Sequence, residues 1–362
     1  MQHSYPVRIK DVRRESPECV SISFDIPEEL KPLFSFKAGQ YINLIKEVNG
    51  EELHRSYSLC VSPSEGEWRV AVKKMEGGRF STYANESLKA GDLIEIMPPN
   101  GRFTTNISPE QKKGYLFITA GSGITPAISL IKNILTVETE SQVSLIYGNS
   151  STHQIIFRDL LLDLKNQYHD RMQMHFILSR EKMDEDWFMG RISGEKLRKF
   201  AGKVFFPRDL DDVFICGPES MTLDCSTTLQ SLGISQEKIH IELFGTELPA
   251  RIKPKIAGKP GESAHITIRT DGRTTEFELP YGSKSILEAA LDEKLNLPFA
   301  CKGGVCCTCK ARLLHGEVDM LRNYGLEPEE IKAGYILTCQ AYPKTDNISV
   351  DYDQLPVKIV IK

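Results

Sequence analysis

The 362-residue sequence predicts a multidomain protein that joins an antiparallel β-barrel, an α/β domain with a parallel sheet, and a small α+β domain. Three observations support this order. Six short β-rich segments fill the first hundred residues, strands and helices alternate from about Gly114, and a hairpin pattern with a cysteine-rich loop lies near the C-terminus. The length also suits two or three domains of ~100–200 residues each.

The first domain is predicted at residues 1–105. Its β-rich segments are VRIKDVRRE, CVSISFDI, QYINLIKEV, RSYSLCVS, WRVAVKKM and DLIEIMPP. Turn-forming sequences such as PSEGE and KAGD separate them. Strands this short at this spacing predict an antiparallel barrel.

The second domain is predicted at residues 106–248. Its strands are YLFITA, VSLIYG, MQMHFIL, DVFIC and KIHIELF, and helical segments such as PAISLIKNIL and HQIIFRDLLLDLKNQY lie between them. This alternation predicts βαβ units and a parallel sheet that helices cover on both faces.

Residues 249–262 are predicted to be a linker, because they combine three prolines, two glycines and four basic residues. A flexible linker here would let the third domain, predicted at residues 263–362, move during function. That domain begins with a hairpin pattern, HITIRTD and GRTTEFELP, followed by an amphipathic helix, SILEAALDEKL.

The bulk composition excludes some classes of partner. A net charge of −4 and a pI near 6.1 show no basic excess for nucleic-acid binding. No apolar run approaches the ~20 residues of a membrane span. Since the N-terminus also has no apolar signal region, we expect a cytoplasmic protein without a membrane partner.

Four cysteines carry the most specific signal. Three lie in CKGGVCCTC and one in LTCQ, with gaps of four, two and twenty-nine residues: Cys301, Cys306, Cys309 and Cys339. This spacing is typical of a plant-type [2Fe–2S] cluster. Gly303 and Gly304 are expected to let the backbone curl so that its N–H groups point at sulfur.

Other interpretations of these cysteines are weaker. A structural zinc site favours short Cys pairs, and disulfide frameworks favour small secreted chains. Cys307 interrupts the interval pattern and is expected to be a packed or free thiol beside the cluster.

Two barrel segments suggest a flavin. In RSYS, Tyr57 offers an aromatic face, Ser58 a hydrogen bond and Arg55 a cation, although an ordinary polar strand also fits. The second segment, GGRFSTY, opens a short helix, where Gly78 and Ser81 would expose N–H groups to an anion. The alternative for this segment is a turn followed by a serine N-cap.

Two turns of the second domain suggest a nucleotide. In AGSGITP, Gly121 and Gly123 would let a ligand approach the backbone, with Thr125 as the helix cap and Pro126 at the first helical position. The pair Cys216-Gly217 ends another strand at the same edge of the sheet.

The coenzyme preference rests on one loop. The acidic residue that binds an NAD ribose is missing after VSLIYG, whereas MHFILSRE supplies Ser179 and Arg180, with Arg191 near by. Charge-assisted contacts would favour a 2′-phosphate roughly ten- to a hundredfold, so NADPH is preferred to NADH. The alternative is a set of ordinary surface charges.

Taken together, RSYS, GGRFS, AGSGITP, LSRE, CGP and the cysteine pattern resemble the ferredoxin–NADP reductase superfamily with a plant-type ferredoxin domain. The order of domains is similar to that of reductase components of bacterial oxygenases. The resemblance implies a flavin barrel, a nucleotide-binding domain and a C-terminal β-grasp domain. Residue by residue, it implies a flavin site at Arg55, Tyr57 and Ser58, a pyrophosphate site for FAD at Gly78 and Ser81, a nicotinamide site at Gly121, Gly123, Thr125, Cys216 and Gly217, a 2′-phosphate site at Ser179 and Arg180, and Glu242 and Phe244 beside the flavin.

The resemblance also implies the function. Electrons would pass from NADPH through FAD and the [2Fe–2S] cluster to an oxygenase partner, without a side chain as general acid or base. Another acceptor, such as a desaturase, a ring hydroxylase or a quinone, is an alternative. A non-catalytic metal or redox sensor is a second one.

Overall fold

The computed structural model describes residues 4–244 and 261–354, which form two compact units. Residues 249–260 of the predicted linker lie outside the described residues, and the predicted domain boundaries stay predictions. Within the described residues, no helix has the length and apolar character needed to cross a membrane.

The first unit begins with a closed antiparallel barrel, as predicted. Its elements are β1 (Tyr5–Ser16), β2 (Cys19–Asp25), β3 (Tyr41–Val48), β4 (Glu51–Ser58), β5 (Trp68–Lys73), α1 (Arg79–Glu86) and β6 (Leu93–Ile96). The strand order is β4-β3-β6-β1-β2-β5. The ends meet just after β4, where the Cys60 N–H donates to the Arg69 carbonyl at 2.9 Å. This closure leaves no free edge on either side.

A parallel sheet follows in the same unit, again as predicted. Its elements are β7 (Gly114–Ala120), α2 (Ile124–Val137), β8 (Gln142–Asn149), α3 (Arg158–Gln167), β9 (Met172–Leu178), α4 (Gly194–Phe200), β10 (Asp212–Gly217), α5 (Glu219–Ser231) and β11 (Ile239–Leu243). The strand order is β11-β10-β7-β8-β9. Helices α2 and α3 pack on one face and α4 and α5 on the other. The carboxyl ends of all five strands therefore lie at one edge.

The barrel and the parallel sheet share a hydrophobic core. Barrel side chains such as Cys60 and Phe103 pack with Ile128 and Leu130 of α2. The Ser129 hydroxyl of α2 also donates to the Val61 carbonyl at 2.6 Å. These contacts fix the end of β4 relative to the start of α2.

Two details of the helices differ from the sequence prediction. The predicted cap at Thr125 is wrong: α2 begins at Ile124 with Gly123 at the N-cap, and the Thr125 hydroxyl donates to the Ser122 carbonyl at 3.0 Å. The cause is a 3₁₀ turn at Gly121–Gly123 that continues directly into the helix, which moves Pro126 to the third position. Helix α3 also starts later than predicted, because Phe157 adopts a left-handed φ of 59° just before it.

The second unit has the predicted hairpin and helix and a mixed sheet of the β-grasp type. Its elements are β12 (Ser263–Thr270), β13 (Arg273–Pro280), α6 (Ile286–Asp292), β14 (Lys310–His315), β15 (Val318–Met320), α7 (Pro328–Lys332), β16 (Tyr335–Leu337), β17 (Ala341–Pro343) and β18 (Asn347–Asp351). The main sheet has the order β13-β12-β18-β14-β16, and β15 pairs with β17. Apolar residues of α6, including Ile286 and Leu287, are fully buried against this sheet.

Candidate functional site

The end of β4 provides an aromatic platform beside helix α1. The ring of Tyr57 lies 5.6 Å from that of Phe80, with an angle of 31° between the planes. Burial raises the pKa of Tyr57, so its hydroxyl stays protonated. Arg55 is exposed and donates to the His54 carbonyl at 2.7 Å. The two protein rings suit a flat, uncharged ring system of a ligand, and Arg55 places a positive charge near one end of that site.

The GGRFS segment forms the turn into α1. The Ser81 hydroxyl accepts a hydrogen bond from the Met75 N–H at 3.1 Å and donates one to the Gly78 carbonyl at 3.2 Å. A side chain on Gly78 would overlap the Ser81 hydroxyl and crowd Met75, so these two Ser81 hydrogen bonds would have to shift to admit one. The N-cap is Gly78, and the serine N-cap considered as an alternative is not formed. The first-turn N–H groups of α1 therefore remain available to an anion.

A carboxyl group connects the barrel to the last strand of the parallel sheet. The Ser58 hydroxyl donates to Glu242 Oε2 at 3.3 Å, and burial raises the pKa of Glu242 to about 8. Cys216 is the neighbour of Glu242 in the parallel register, and burial raises the pKa of its thiol. Both groups are thus uncharged near neutral pH. Phe244, just beyond β11, is 37% exposed.

The two predicted nucleotide-binding glycines of AGSGITP have different surroundings. A Cβ on Gly123 would lie 2.6 Å from the carbonyl carbon of Cys216 and closer still to its oxygen, so this glycine permits close backbone packing against β10, and its contact with a nucleotide stays a prediction. Gly121 has a left-handed φ of 54°, and only Lys73 Nζ, at 3.9 Å, lies within 4 Å of its Cβ position. Gly121 is therefore the open position where a ligand could approach.

Ser179 and Arg180 follow β9 at the same edge of the sheet. Their main-chain N–H groups donate to the carbonyls of Asn149 at 3.0 Å and Ser150 at 2.8 Å. Both side chains are exposed, and so is Arg191. The backbone of Ser179 and Arg180 is thus fixed against the end of β8, while their side chains face solvent. A phosphate group of a ligand could reach these exposed side chains.

Sequence reasoning missed three residues around this edge. The Tyr147 hydroxyl donates to the Gly121 carbonyl at 2.9 Å and fixes the loop. Lys73 brings a cation from the barrel to Gly121, and Thr119 Oγ1 is buried without a hydrogen-bond partner among the described residues. Thr119 and Tyr147 could have been found in the sequence, because each carries a polar group within the last three positions of a buried strand. No local pattern indicated Lys73.

The second unit brings the four predicted cysteines together. Cys306, Cys309 and Cys339 are buried, and Cys301 is partly buried. The N–H groups of Gly303 and Cys306 donate to Cys301 Sγ at 3.3 and 3.4 Å. Hydrogen bonding with the Cys306 thiol lowers the pKa of Cys301, and a similar contact joins Cys309 to Cys339. The thiols therefore form two pairs, which suits a cluster of two irons with two thiolates each.

The chain around these cysteines explains how a distant ligand reaches the loop. The Thr338 hydroxyl donates to the Cys309 carbonyl at 2.9 Å, and Gln340 Nε2 donates to the Lys302 carbonyl at 2.8 Å. These bonds flank Cys339 on both sides. Among the described residues, no three His, Cys, Asp or Glu side chains converge as the ligands of one metal ion.

The curl of the loop depends on fewer glycines than expected. Gly304 has a left-handed φ of 78°, whereas Gly303 is not left-handed. Lys302 and Cys307 also adopt left-handed angles, near 50°. The Cys307 sulfur packs against Gly325.

Comparisons with known proteins agree with this geometry. Three family models match in order: an oxidoreductase FAD-binding domain at residues 6–105, an oxidoreductase NAD-binding domain at residues 117–227 and a 2Fe-2S iron–sulfur cluster binding domain at residues 268–344. These matches confirm FAD, a nicotinamide nucleotide and a [2Fe–2S] cluster as the cofactors. The individual site residues stay predictions.

Two relatives and one solved structure match nearly the whole chain. A subunit of 1,2-phenylacetyl-CoA epoxidase from Escherichia coli (strain K12) is 43% identical over 349 residues, which cover 96% of this chain and 98% of the relative. The glycine betaine monooxygenase reductase subunit of Pseudomonas aeruginosa (strain UCBPP-PA14) is 30% identical and covers 88% of each chain. The structure of phthalate dioxygenase reductase has the same fold, with a TM-score of 0.59, 23% identity and coverage of 96% and 98%.

Proposed function

This chain belongs to the family of NAD(P)H-dependent oxygenase reductases that contain FAD and a [2Fe–2S] cluster, and on that premise we propose that it supplies electrons from NADPH to the oxygenase of a phenylacetyl-CoA epoxygenase-type system. The observation that carries this proposal is 43% identity to one subunit of a phenylacetyl-CoA epoxidase over nearly the full length of both chains. More distant relatives that serve other monooxygenases are 30% identical or less.

The residues of the first unit suit the binding and orientation of two ring systems. Bound FAD would supply a hydride acceptor and a bound [2Fe–2S] cluster would supply a one-electron carrier. Tyr57 and Phe80 would support the flavin, and the first turn of α1 would bind its pyrophosphate. The hydrogen bond from Ser58 to Glu242 joins the barrel to the sheet edge, so the flavin and the nicotinamide would meet beside it. The raised pKa of Glu242 keeps a negative charge away from that point.

The coenzyme part of the proposal rests on Ser179 and Arg180. Both side chains are exposed at the carboxyl edge of the sheet, and their backbone is fixed by hydrogen bonds to the end of β8. A guanidinium group binds a phosphate bidentately, which favours NADPH over NADH. We also propose a cytoplasmic location, because cluster thiolates require a reducing compartment.

The proposal is tested with the purified, fully loaded protein under anaerobic conditions. NADPH is expected to bleach flavin and cluster, and addition of a purified phenylacetyl-CoA epoxygenase component with its substrate and oxygen should give epoxide that mass spectrometry detects. A ring-hydroxylating oxygenase serves as the comparison acceptor. Faster turnover with that oxygenase, or with a quinone, would contradict the proposed partner.

The coenzyme is tested separately through kcat/KM for NADPH and NADH. Replacement of Arg180 by Gln should reduce the preference for NADPH roughly ten- to a hundredfold, because one charge-assisted contact is lost. Arg198, an exposed arginine on α4, offers the control Arg198→Gln, which should leave the preference unchanged. A wild-type preference for NADH would contradict the assignment.

A further inference from the structure

Arg322 lies in a segment that packs on the cysteine loop. Its carbonyl oxygen would lie 2.8 Å from a Cβ on Gly304, and the Tyr324 N–H donates to the Gly304 carbonyl at 3.0 Å. On the other side, the Leu321 N–H donates to the carbonyl of Gln340, the residue after the fourth cysteine, at 3.0 Å. The backbone of Arg322 is therefore fixed between the loop and the turn that carries the last cluster ligand.

The side chain of Arg322 has an unusual environment. Its Nη1 atom is buried and has no hydrogen-bond partner among the residues that the structure describes. A buried donor without a partner is destabilising, and more so when it is charged. In contrast, Nη1 of the exposed Arg312 in the same unit donates to Gln354 Oε1 at 3.0 Å. Arg322 as a whole is half-buried, so this one guanidinium donor is the atom that needs an acceptor beside it.

The cluster can supply a negatively charged acceptor. Four thiolates and two sulfides outweigh the charge of two irons, so the loaded site is an anion, and its negative charge increases when one electron enters. The loop already directs the N–H groups of Gly303 and Cys306 at sulfur. A guanidinium beside it would add a stronger, charge-assisted donor.

We propose that Arg322 Nη1 donates a hydrogen bond to a sulfur atom of the bound [2Fe–2S] cluster or of its cysteine ligands, and that this contact raises the reduction potential of the cluster. The cation stabilises the reduced form more than the oxidised form, because the reduced form carries one more negative charge. Only an electron is transferred; no bond forms or breaks. The inference depends on the cluster but not on the identity of the oxygenase.

The experiment is a redox titration of the purified, fully loaded protein, followed by electron paramagnetic resonance. Arg322→Met keeps an unbranched stem and removes the charge, and Arg322→Gln keeps a neutral donor. Arg322→Met should favour the oxidised form about tenfold, which lowers the potential by about 59 mV for a one-electron couple. The g values of the reduced cluster should change as well. Arg322→Gln should give a smaller shift in the same direction.

Arg312→Met is the matched control, because it removes an arginine charge from the surface of the same unit. Its potential should equal that of the unaltered protein. Unchanged potentials in both Arg322 variants, or an equal shift in Arg312→Met, would overturn the proposal. If Arg322→Met loses iron, its potential cannot be measured, and the reduction potential of Arg322→Gln then tests the proposal. Loss of iron from both variants would assign Arg322 a structural role instead and would also overturn it. Since no oxygenase is present, the result is independent of the proposed partner.

Discussion

Replacement of Gly123 by Ala should slow reduction of the flavin by NADPH about a hundredfold. The new Cβ would lie 2.6 Å from the carbonyl carbon of Cys216 and 3.1 Å from the amide nitrogen of Gly217, and ordinary contact begins at 3.4 Å. All the crowded atoms belong to the backbone, so no side chain can rotate away. A shift of about 0.8 Å or more is required, and a misplacement of about 1 Å at a reacting centre can cost ~10²-fold in rate.

The loop rather than the strand should absorb this shift. Cys216 lies in β10, which is paired with β7 on one side and with β11 on the other, whereas the AGSGITP loop has a free side at Gly121. Crowding of this kind typically costs about 1–3 kcal/mol of folding free energy. In a unit of this size, the midpoint of thermal unfolding should fall by roughly 2–10 °C.

The assay is anaerobic stopped-flow mixing of NADPH with the loaded protein, with loss of oxidised flavin absorbance as the signal. Gly148→Ala is the matched control. It lies at the same edge of the sheet, and its Cβ would meet the flexible end of Ile192 at 3.0 Å, which can move. We expect less than about a threefold effect there. A Gly123→Ala protein that reduces its flavin at the unaltered rate and keeps its unfolding midpoint would refute the reasoning, and so would an equally damaged control.

Three further predictions follow from the site. Replacement of any of the four predicted cluster cysteines by serine should cause loss of iron, whereas Cys307→Ser should retain it. Iron analysis of the purified variants measures this difference. Loss of iron from Cys307→Ser would instead indicate that the Cys307 thiol is a ligand. Tyr147→Phe removes a hydrogen bond to the Gly121 carbonyl that is worth about 0.5–1.5 kcal/mol. The Kd for NADPH, measured by a binding titration, should therefore rise roughly two- to tenfold. An unchanged Kd would contradict a role of Tyr147 in fixing the loop. Burial raises the pKa of Glu242 from 4.5 to about 8, so the folded state binds its proton more tightly and stability should fall as pH rises from about 4.5 to 8. Glu242→Gln should flatten that part of the pH–stability profile by up to about 5 kcal/mol, because each pKa unit between 4.5 and 8 is worth about 1.36 kcal/mol. Chemical unfolding at several pH values measures the profile, and a profile that stays unchanged would count against a raised pKa of Glu242.

The sequence predicted the chemistry more closely than the local geometry. Glycines, cysteines and capping residues follow short-range rules, so the order of the motifs indicated both the folds and the cofactors. The predictions of local geometry failed where a neighbouring turn or strand changed the surroundings of a residue. Thr125 does not cap α2, because a 3₁₀ turn continues into the helix, and the side-chain position of Gly123 is filled by a backbone carbonyl of β10.

By itself, the sequence determined the three kinds of domain, the spacing of the cluster cysteines and the order of the flavin and nucleotide motifs. Apart from the distant fourth cysteine, each of these patterns lies in a short segment of the chain. Only the tertiary structure decided the contact between Ser58 and Glu242, the approach of Lys73 to Gly121 and the burial of the Nη1 atom of Arg322, whose backbone packs on the cysteine loop. These pairs are far apart in sequence or join different strands, and their energies depend on burial and distance. No local pattern encodes burial or distance before the sheets have formed.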